Sequence, residues 1–381
     1  MSKDKFLKYE KAYVSDCFCH CLANILMNSE MNIEPDIILC DNISLFYDMQ
    51  THDIGINYPL KNNAPIYIDS SYQKYIANSY GMITFHPVQY ADNGKEYAND
   101  SRTDMIEIRR YISDDSQIAV NRIIHLLTDS KMIICAVDVY YLKYHKAHLK
   151  MHALHYIIIT EINLKENWVK VIDEYHFTGS RYTGKIAFND FIEARSSLNP
   201  YNESYEGISG VPIRNLWVEV QISPLFPANT DTILSIIRRS INSLGAICEK
   251  TFRCWGLKAL KSLCEDLQNV ENWDINHNFY FTHIFRSAIK NISKNRMRFS
   301  ALLKLTEGRK DLAETIEYCE KSGEYWLKLS GVAYKYGVQR KPGTLANMVK
   351  ILQDILLMEE KIHENLISYM EELTCRNVIT K

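Results

Sequence analysis

Three β-rich runs in the middle of the chain leave the fewest choices of fold. Lys131 to Leu142 (KMIICAVDVYYL), His155 to Ile162 (HYIIITEI) and Trp168 to Ile172 (WVKVI) are dense in β-branched and aromatic residues. Such residues fit a pleated, largely buried surface. The last two runs are joined by the polar turn Asn163-Leu164-Lys165-Glu166-Asn167, which predicts an antiparallel hairpin. His155 opens that hairpin and Asp173 closes it. Paired strands joined by a short turn return to their starting point, so these two side chains are expected as neighbours. A carboxylate held on one imidazole nitrogen leaves the other nitrogen for a nucleophile.

The nucleophile that suits them lies near the start of the chain, in Ser15-Asp16-Cys17-Phe18-Cys19-His20-Cys21-Leu22-Ala23-Asn24-Ile25-Leu26. Ser15 and Asp16 are good N-cap residues, and the apolar positions after them suit a buried helix over 15–28. Cys17 then sits in the first turn, where free backbone N–H groups and the macrodipole favour a thiolate. Cys19 and Cys21 point elsewhere and read as small core residues. A cysteine followed about 130–150 residues later by a histidine and an acid is the papain-type order. The expected triad is Cys17 as nucleophile, His155 as base and Asp173 as its orienter.

Length and composition fit this reading. A chain of 381 residues is long enough for two cores. A formal net charge of −2 argues against a nucleic-acid or anionic-membrane partner. Met1-Ser2-Lys3-Asp4-Lys5 runs into a polar segment rather than a signal peptide, and the longest apolar runs are too short to cross a bilayer. Ten cysteines with no CxxC pair read as reduced thiols in a cytoplasmic protein, without a zinc ribbon.

Ser223-Pro224-Leu225-Phe226-Pro227 marks a change of pattern. The expected fold is α+β over residues 1–225, an N-terminal helix packed on an antiparallel sheet, followed by an all-α domain over 226–381. Within the first part, Tyr72–Tyr80 and Ile106–Leu127 read as helices, Asp92–Lys95 as a turn, Met82–Phe85 as a β piece and Asn215–Ile222 as a further strand. In the second part Thr230–Cys254, Gly256–Val270, Phe279–Lys304, Gly308–Tyr336 and Thr344–Thr374 read as helices, with breaks at Gly337 and Pro342-Gly343.

Cys17 with Asn24-Ile25-Leu26, Val137-Asp138-Val139-Tyr140-Tyr141-Leu142 followed by Lys143-Tyr144-His145, His155-Tyr156-Ile157-Ile158-Ile159, Val171-Ile172-Asp173 and Ala194-Arg195-Ser196 occur in an order and spacing with a precedent. Residues 10–225 resemble the N-terminal family of butirosin-biosynthesis acyltransferases, with a papain-like fold. The resemblance implies acyl transfer in natural-product biosynthesis. An acyl group would pass from a carrier-protein thioester, held on phosphopantetheine, through Cys17 to a small amine, as in the similar closthioamide amide-forming ligase. It implies no further cofactor. The chain departs from the pattern in two places. Asp16 stands where the family commonly has histidine, and its carboxylate works against a neighbouring thiolate. The glutamine that completes a papain-like oxyanion hole is missing from Glu10-Lys11-Ala12.

Other readings stay open at this level. A cysteine peptidase or amidase would use the same triad. A non-catalytic module would carry it inertly. His145, His148, His152 and His155 recur at helical spacing and would form a metal face if the segment were a helix. His152 competes with His155 as base. Asp138 and His20 read as structural, and Asn24 as scaffold bonded to the hairpin or a loop. Arg238-Arg239 and Lys290…Lys294-Asn295-Arg296-Met297-Arg298 are either solvated helix faces or a dock for an acidic carrier protein. The helix Leu345–Leu373 packs within the bundle or against a second subunit, as in a homodimer.

Overall fold

The computed structural model describes residues 17–29, 34–40, 42–43, 45–56, 66–68, 73–75, 106–129, 132–173, 182–201, 209–210, 212–222, 230–246, 253–306 and 310–379. The proposed caps Ser15 and Asp16, the segment Glu10-Lys11-Ala12, the turn Asp92–Lys95, the β piece Met82–Phe85 and the boundary 223–227 lie outside them. The elements of the first half, in chain order, are α1 (Cys17–Met27), α2 (Pro35–Leu39), β1 (Phe46–Asp48), β2 (Ile54–Gly55), β3 (Ile66–Ile68), β4 (Gln73–Tyr75), β5 (Ile106–Ile112), α3 (Ser116–Thr128) and β6 (Ile133–Asp138). Then come β7 (Leu154–Asn163), β8 (Trp168–Asp173), β9 (Tyr182–Ala187), α4 (Phe188–Ser196) and β10 (Trp217–Ile222). The remainder holds α5 (Thr230–Gly245), β11 (Arg253–Trp255), α6 (Gly256–Asp266), α7 (Phe285–Leu303), α8 (Ala313–Gln339) and α9 (Pro342–Ile379).

The chain is α+β and divides into two units. The first contains α1 and the described parts of 58–226, the second the described parts of 36–57 and 227–381. Residues 36–57, expected in the N-terminal domain, therefore group with the helical one. The reason is β-pairing: Phe46, Tyr47 and Asp48 of β1 lie opposite Trp255, Cys254 and Arg253 of β11.

The first unit is built on an eight-stranded sheet in the order β4-β3-β5-β10-β6-β7-β8-β9. Its pairings are antiparallel except for β3 with β5, which is parallel. All six residues of β6 are buried, as a strand covered on both faces requires. Cys135 and Val137 of β6, Ile157 and Ile159 of β7, and Val169 and Val171 of β8 share one core with Ile123 of α3 and Phe191 of α4. Tyr156 meets Phe18 of α1 edge-on at 5.4 Å. Each such side chain contributes about 1.5–3 kcal/mol on burial.

Two expected helices in this unit are corrected. Ile106–Ile112 is a strand, paired with β10 over six residues, and only Ser116–Thr128 is helical. The switch falls at Asp115, whose carboxylate caps α3 by accepting from the N–H groups of Gln117 and Ile118. Within the expected helix at Tyr72–Tyr80, Gln73–Tyr75 forms a strand paired with β3. The run expected as one strand to Leu142 ends at Asp138, whose carboxylate accepts from Tyr140 N–H and turns the chain into a 3-10 turn.

In the second unit α5 stops at Gly245, short of the expected Cys254. A π-helical turn, Tyr280–Ile284, precedes α7. Gly337 is not a break. It lies inside α8, where a Cβ would come within 3.0 Å of Phe281 Cβ, so the missing side chain serves close packing. Arg340, in the left-handed conformation, ends α8, and Pro342 opens α9.

The basic cluster on α7 is largely internal, which corrects both earlier readings of it. Arg296 and Arg298 are fully buried. Arg296 Nε donates to Glu359 Oε1 at 2.7 Å, and Ser322 Oγ and Trp326 Nε1 donate to the same oxygen. Arg298 Nη1 donates to the carbonyl of Leu39 and faces Asp36. These guanidinium groups hold the bundle together and are not presented to a carrier protein.

Candidate active site

Every residue of α1 from Cys17 to Leu26 is buried, the polar His20 and Asn24 included. Cys17 is its first residue. Cys21 Sγ donates to the carbonyl of Tyr156 on β7 at 3.4 Å, which ties the helix to the strand that begins beside His155. Asn24 Nδ2 donates to the carbonyl of His20 within α1.

The hairpin brings its two ends together. His155 Nε2 donates to Asp173 Oδ2 at 3.0 Å, and both side chains are buried. With Nε2 committed there, Nδ1 is the nitrogen left for the hydrogen bond between His155 and Cys17. Burial alone would hold His155 neutral. The Asp173 carboxylate, the Cys17 sulfur and the hydrogen bonds to both outweigh it and push the imidazole up to about 10. The three residues expected together from the sequence are therefore joined in one chain of contacts, Cys17–His155–Asp173.

Tyr144 fixes the far end of this line. Its hydroxyl donates to Asp173 Oδ2 at 3.1 Å, and its ring stacks on Tyr182 at 4.2 Å. Burial, then the Asp173 charge and the hydrogen bond to it, hold the phenol well above its ordinary range. Tyr144 is thus a permanent donor that orients Asp173.

His145 is the unexpected member. Its ring lies 5.8 Å from that of His155. The backbone N–H of Ala147 donates to its Nδ1 at 3.1 Å. Burial and the neighbouring His155 hold it down at about 4, although Asp173 pulls the other way. The ring is neutral, and its proton therefore sits on Nε2. Among the described residues that Nε2, which is buried, has no hydrogen-bond partner, a state that costs about 1–3 kcal/mol.

His152, the rival base, belongs to a different carboxylate. Its Nδ1 donates to Asp138 Oδ2 at 2.7 Å, and its ring stacks on Tyr140 at 4.1 Å. Asp138 also accepts from Ser197 Oγ, Tyr140 N–H and Ala153 N–H. Four donors satisfy a fully buried carboxylate, and together they clamp the 139–153 segment that carries Tyr144 and His145. His148 Nδ1 donates to the carbonyl of Tyr140. The segment is a series of turns rather than a helix, and the four histidines go to four separate partners. Among the described residues no group of three or more His, Cys, Asp or Glu side chains is placed to hold a metal ion.

No protein-family model and no curated protein matches the chain. Among the described residues no helix is long and apolar enough to cross a membrane.

The arrangement can generate a thiolate–imidazolium pair with a buried acid behind it, the requirement for nucleophilic attack on an activated carbonyl. Two residues of the site carry no catalytic signal in the sequence. Tyr144 lies in the Lys143-Tyr144-His145 exit of a strand, and its role comes from Asp173, far along the chain. His145 has the spacing of a metal ligand, and its tautomer depends on a backbone N–H two residues away.

Proposed function

We propose that this protein is a thiol acyltransferase that forms an amide from a thioester and an amine. The contact of His155 with both Cys17 and Asp173 carries the reading. In the proposed mechanism Cys17 reacts as the thiolate and His155 as the imidazolium. Sγ attacks the thioester carbonyl carbon, and the C=O electrons move to oxygen. Collapse of the tetrahedral species expels the pantetheine thiolate, which takes the proton from His155. The amine then attacks the acyl–Cys17 carbonyl, His155 accepts its proton, and the Cys17 thiolate leaves. Thioester exchange is nearly thermoneutral, so no ATP is needed.

Enclosure supports transfer over peptide hydrolysis. Cys17, His155 and Asp173 are all at least nine-tenths buried. A site that sheds water favours an amine acceptor, whereas a peptidase needs an open cleft for an extended chain. The papain-like fold, a phosphopantetheine-bound donor on an acyl or peptidyl carrier protein, and a role in natural-product biosynthesis belong to this proposal through the family resemblance.

The test is the fate of the acyl group. Wild-type protein is mixed with acyl-pantetheine thioesters and a panel of small amines, and products are followed by mass spectrometry. Amide formation faster than free-acid formation supports the transferase. Free acid alone, at a rate indifferent to amine, would assign the site to a hydrolase.

A further inference from the structure

We infer that His145 is the second oxyanion donor of this site, its Nε2–H binding the carbonyl oxygen of the thioester as negative charge develops there. The inference rests on the acyl-enzyme reading above and supplies the group that reading lacks. A papain-like site draws one donor from the backbone N–H of its cysteine and a second from a side chain, and no glutamine precedes Cys17 at the usual place.

Three observations converge on His145. The donor is set by the fold: Ala147 N–H occupies Nδ1 at 3.1 Å, which fixes the neutral tautomer with hydrogen on Nε2. The donor is unspent: Nε2 is buried and finds no hydrogen-bond partner among the described residues, although the side chain is nine-tenths enclosed. The donor is next to the base: its ring is 5.8 Å from that of His155, which itself contacts Cys17. Burial also keeps His145 from being protonated near neutrality. It therefore stays a donor on one nitrogen and does not compete with His155 for the proton.

The turn that carries His145 is itself held by backbone hydrogen bonds. His145 N–H donates to the carbonyl of Leu142, and His148 N–H to the carbonyl of His145. A side chain tolerated only for packing would not need its Nδ1 fixed by a backbone donor while its Nε2 was left open.

In chemical terms His145 donates without transferring its proton. The C=O bond of the thioester opens to an oxyanion as the Cys17 Sγ–C bond forms. The Nε2–H···O⁻ bond shortens, and on collapse the oxygen regains its double bond as the pantetheine sulfur leaves. His145 ends each half-reaction as it began.

The experiment separates this role from a structural one by using two electrophiles. Acylation of Cys17 by an acyl-pantetheine thioester builds an oxyanion, whereas alkylation by iodoacetamide displaces iodide at a saturated carbon and builds none. His145→Phe should slow acylation about 100- to 1,000-fold, the usual effect of losing one oxyanion donor, and leave alkylation within about twofold of wild type. His145→Gln, which restores an N–H donor, should recover part of the acylation rate. Equal slowing of both reactions by His145→Phe would overturn the inference and mark His145 as structural. Unchanged acylation in His145→Phe would overturn it while leaving the acyl-enzyme reading intact. No acylation of the wild-type protein by any thioester would overturn both.

Discussion

His155 Nε2 lies 3.0 Å from Asp173 Oδ2, with neither side chain open to solvent. A buried imidazole left alone would lose its proton, so its raised affinity for protons is a measure of what Asp173 and Cys17 do to it. The folded value, about 10, exceeds the ordinary 6.5. The stabilisation from this site is therefore complete below about pH 6.5 and is lost as pH rises towards 10. Asp173→Asn removes the charge that sustains it. The melting temperature of wild type should exceed that of Asp173→Asn by most near pH 6, and the gap should close towards about pH 10. Calorimetry of both proteins across that window checks it, and a gap constant with pH would show that His155 is neutral in the fold.

The two histidines differ in their carboxylates, Asp173 for His155 and Asp138 for His152. His155→Ala should abolish acylation of Cys17, whereas His152→Ala should keep it within about tenfold of wild type, since His152 serves Asp138. Single-turnover acylation kinetics on the two variants distinguish them. The reverse ranking would make His152 the base.

Asp138→Ala should be among the most damaging single changes in the sheet unit. It strips the acceptor from His152, Ser197 and the N–H groups of Tyr140 and Ala153. Leaving these donors unpaired should cost about 3–5 kcal/mol of stability. Tyr144→Phe, by contrast, loses a single hydrogen bond to Asp173 while keeping the stack on Tyr182. It should cost about 1–2 kcal/mol. Urea denaturation followed by near-UV circular dichroism measures both.

In the helical unit Glu359 is the hub. Glu359→Gln leaves Arg296 buried without its counter-charge and should destabilise by about 3–5 kcal/mol. The double change Arg296→Met with Glu359→Leu removes both charges and should cost less than either single change. A double change costing the sum of the singles would show that the pair acts independently.

The sequence made the hairpin and its two end residues legible because strand pairing is a local consequence of β-rich runs around a polar turn. Cys17 joined them through order along the chain. Other features depended on partners far away. Ile106, Ile108 and Ile112 fit a period of two as well as a loose helical stripe, and only pairing with β10 makes the segment a strand. Arg296 looked like surface charge because its partner Glu359 lies on another helix. Phe46–Asp48 was drawn into the helical unit by β11, a three-residue strand with no signal of its own. Gly337 carries the signal of a helix break, but its missing side chain makes room for Phe281. His145 could not be assigned, since what matters is which of its nitrogens is occupied.

The central claim is that Cys17, activated by His155, carries the acyl group. Its most direct measurement is intact-protein mass spectrometry with peptide mapping after mixing the full chain with an acyl-pantetheine thioester. One acyl group on Cys17 of the wild type, absent from Cys17→Ala and released when an amine is added, is the predicted result. An unmodified wild-type protein, or an acyl group on another residue that persists in Cys17→Ala, would contradict the account.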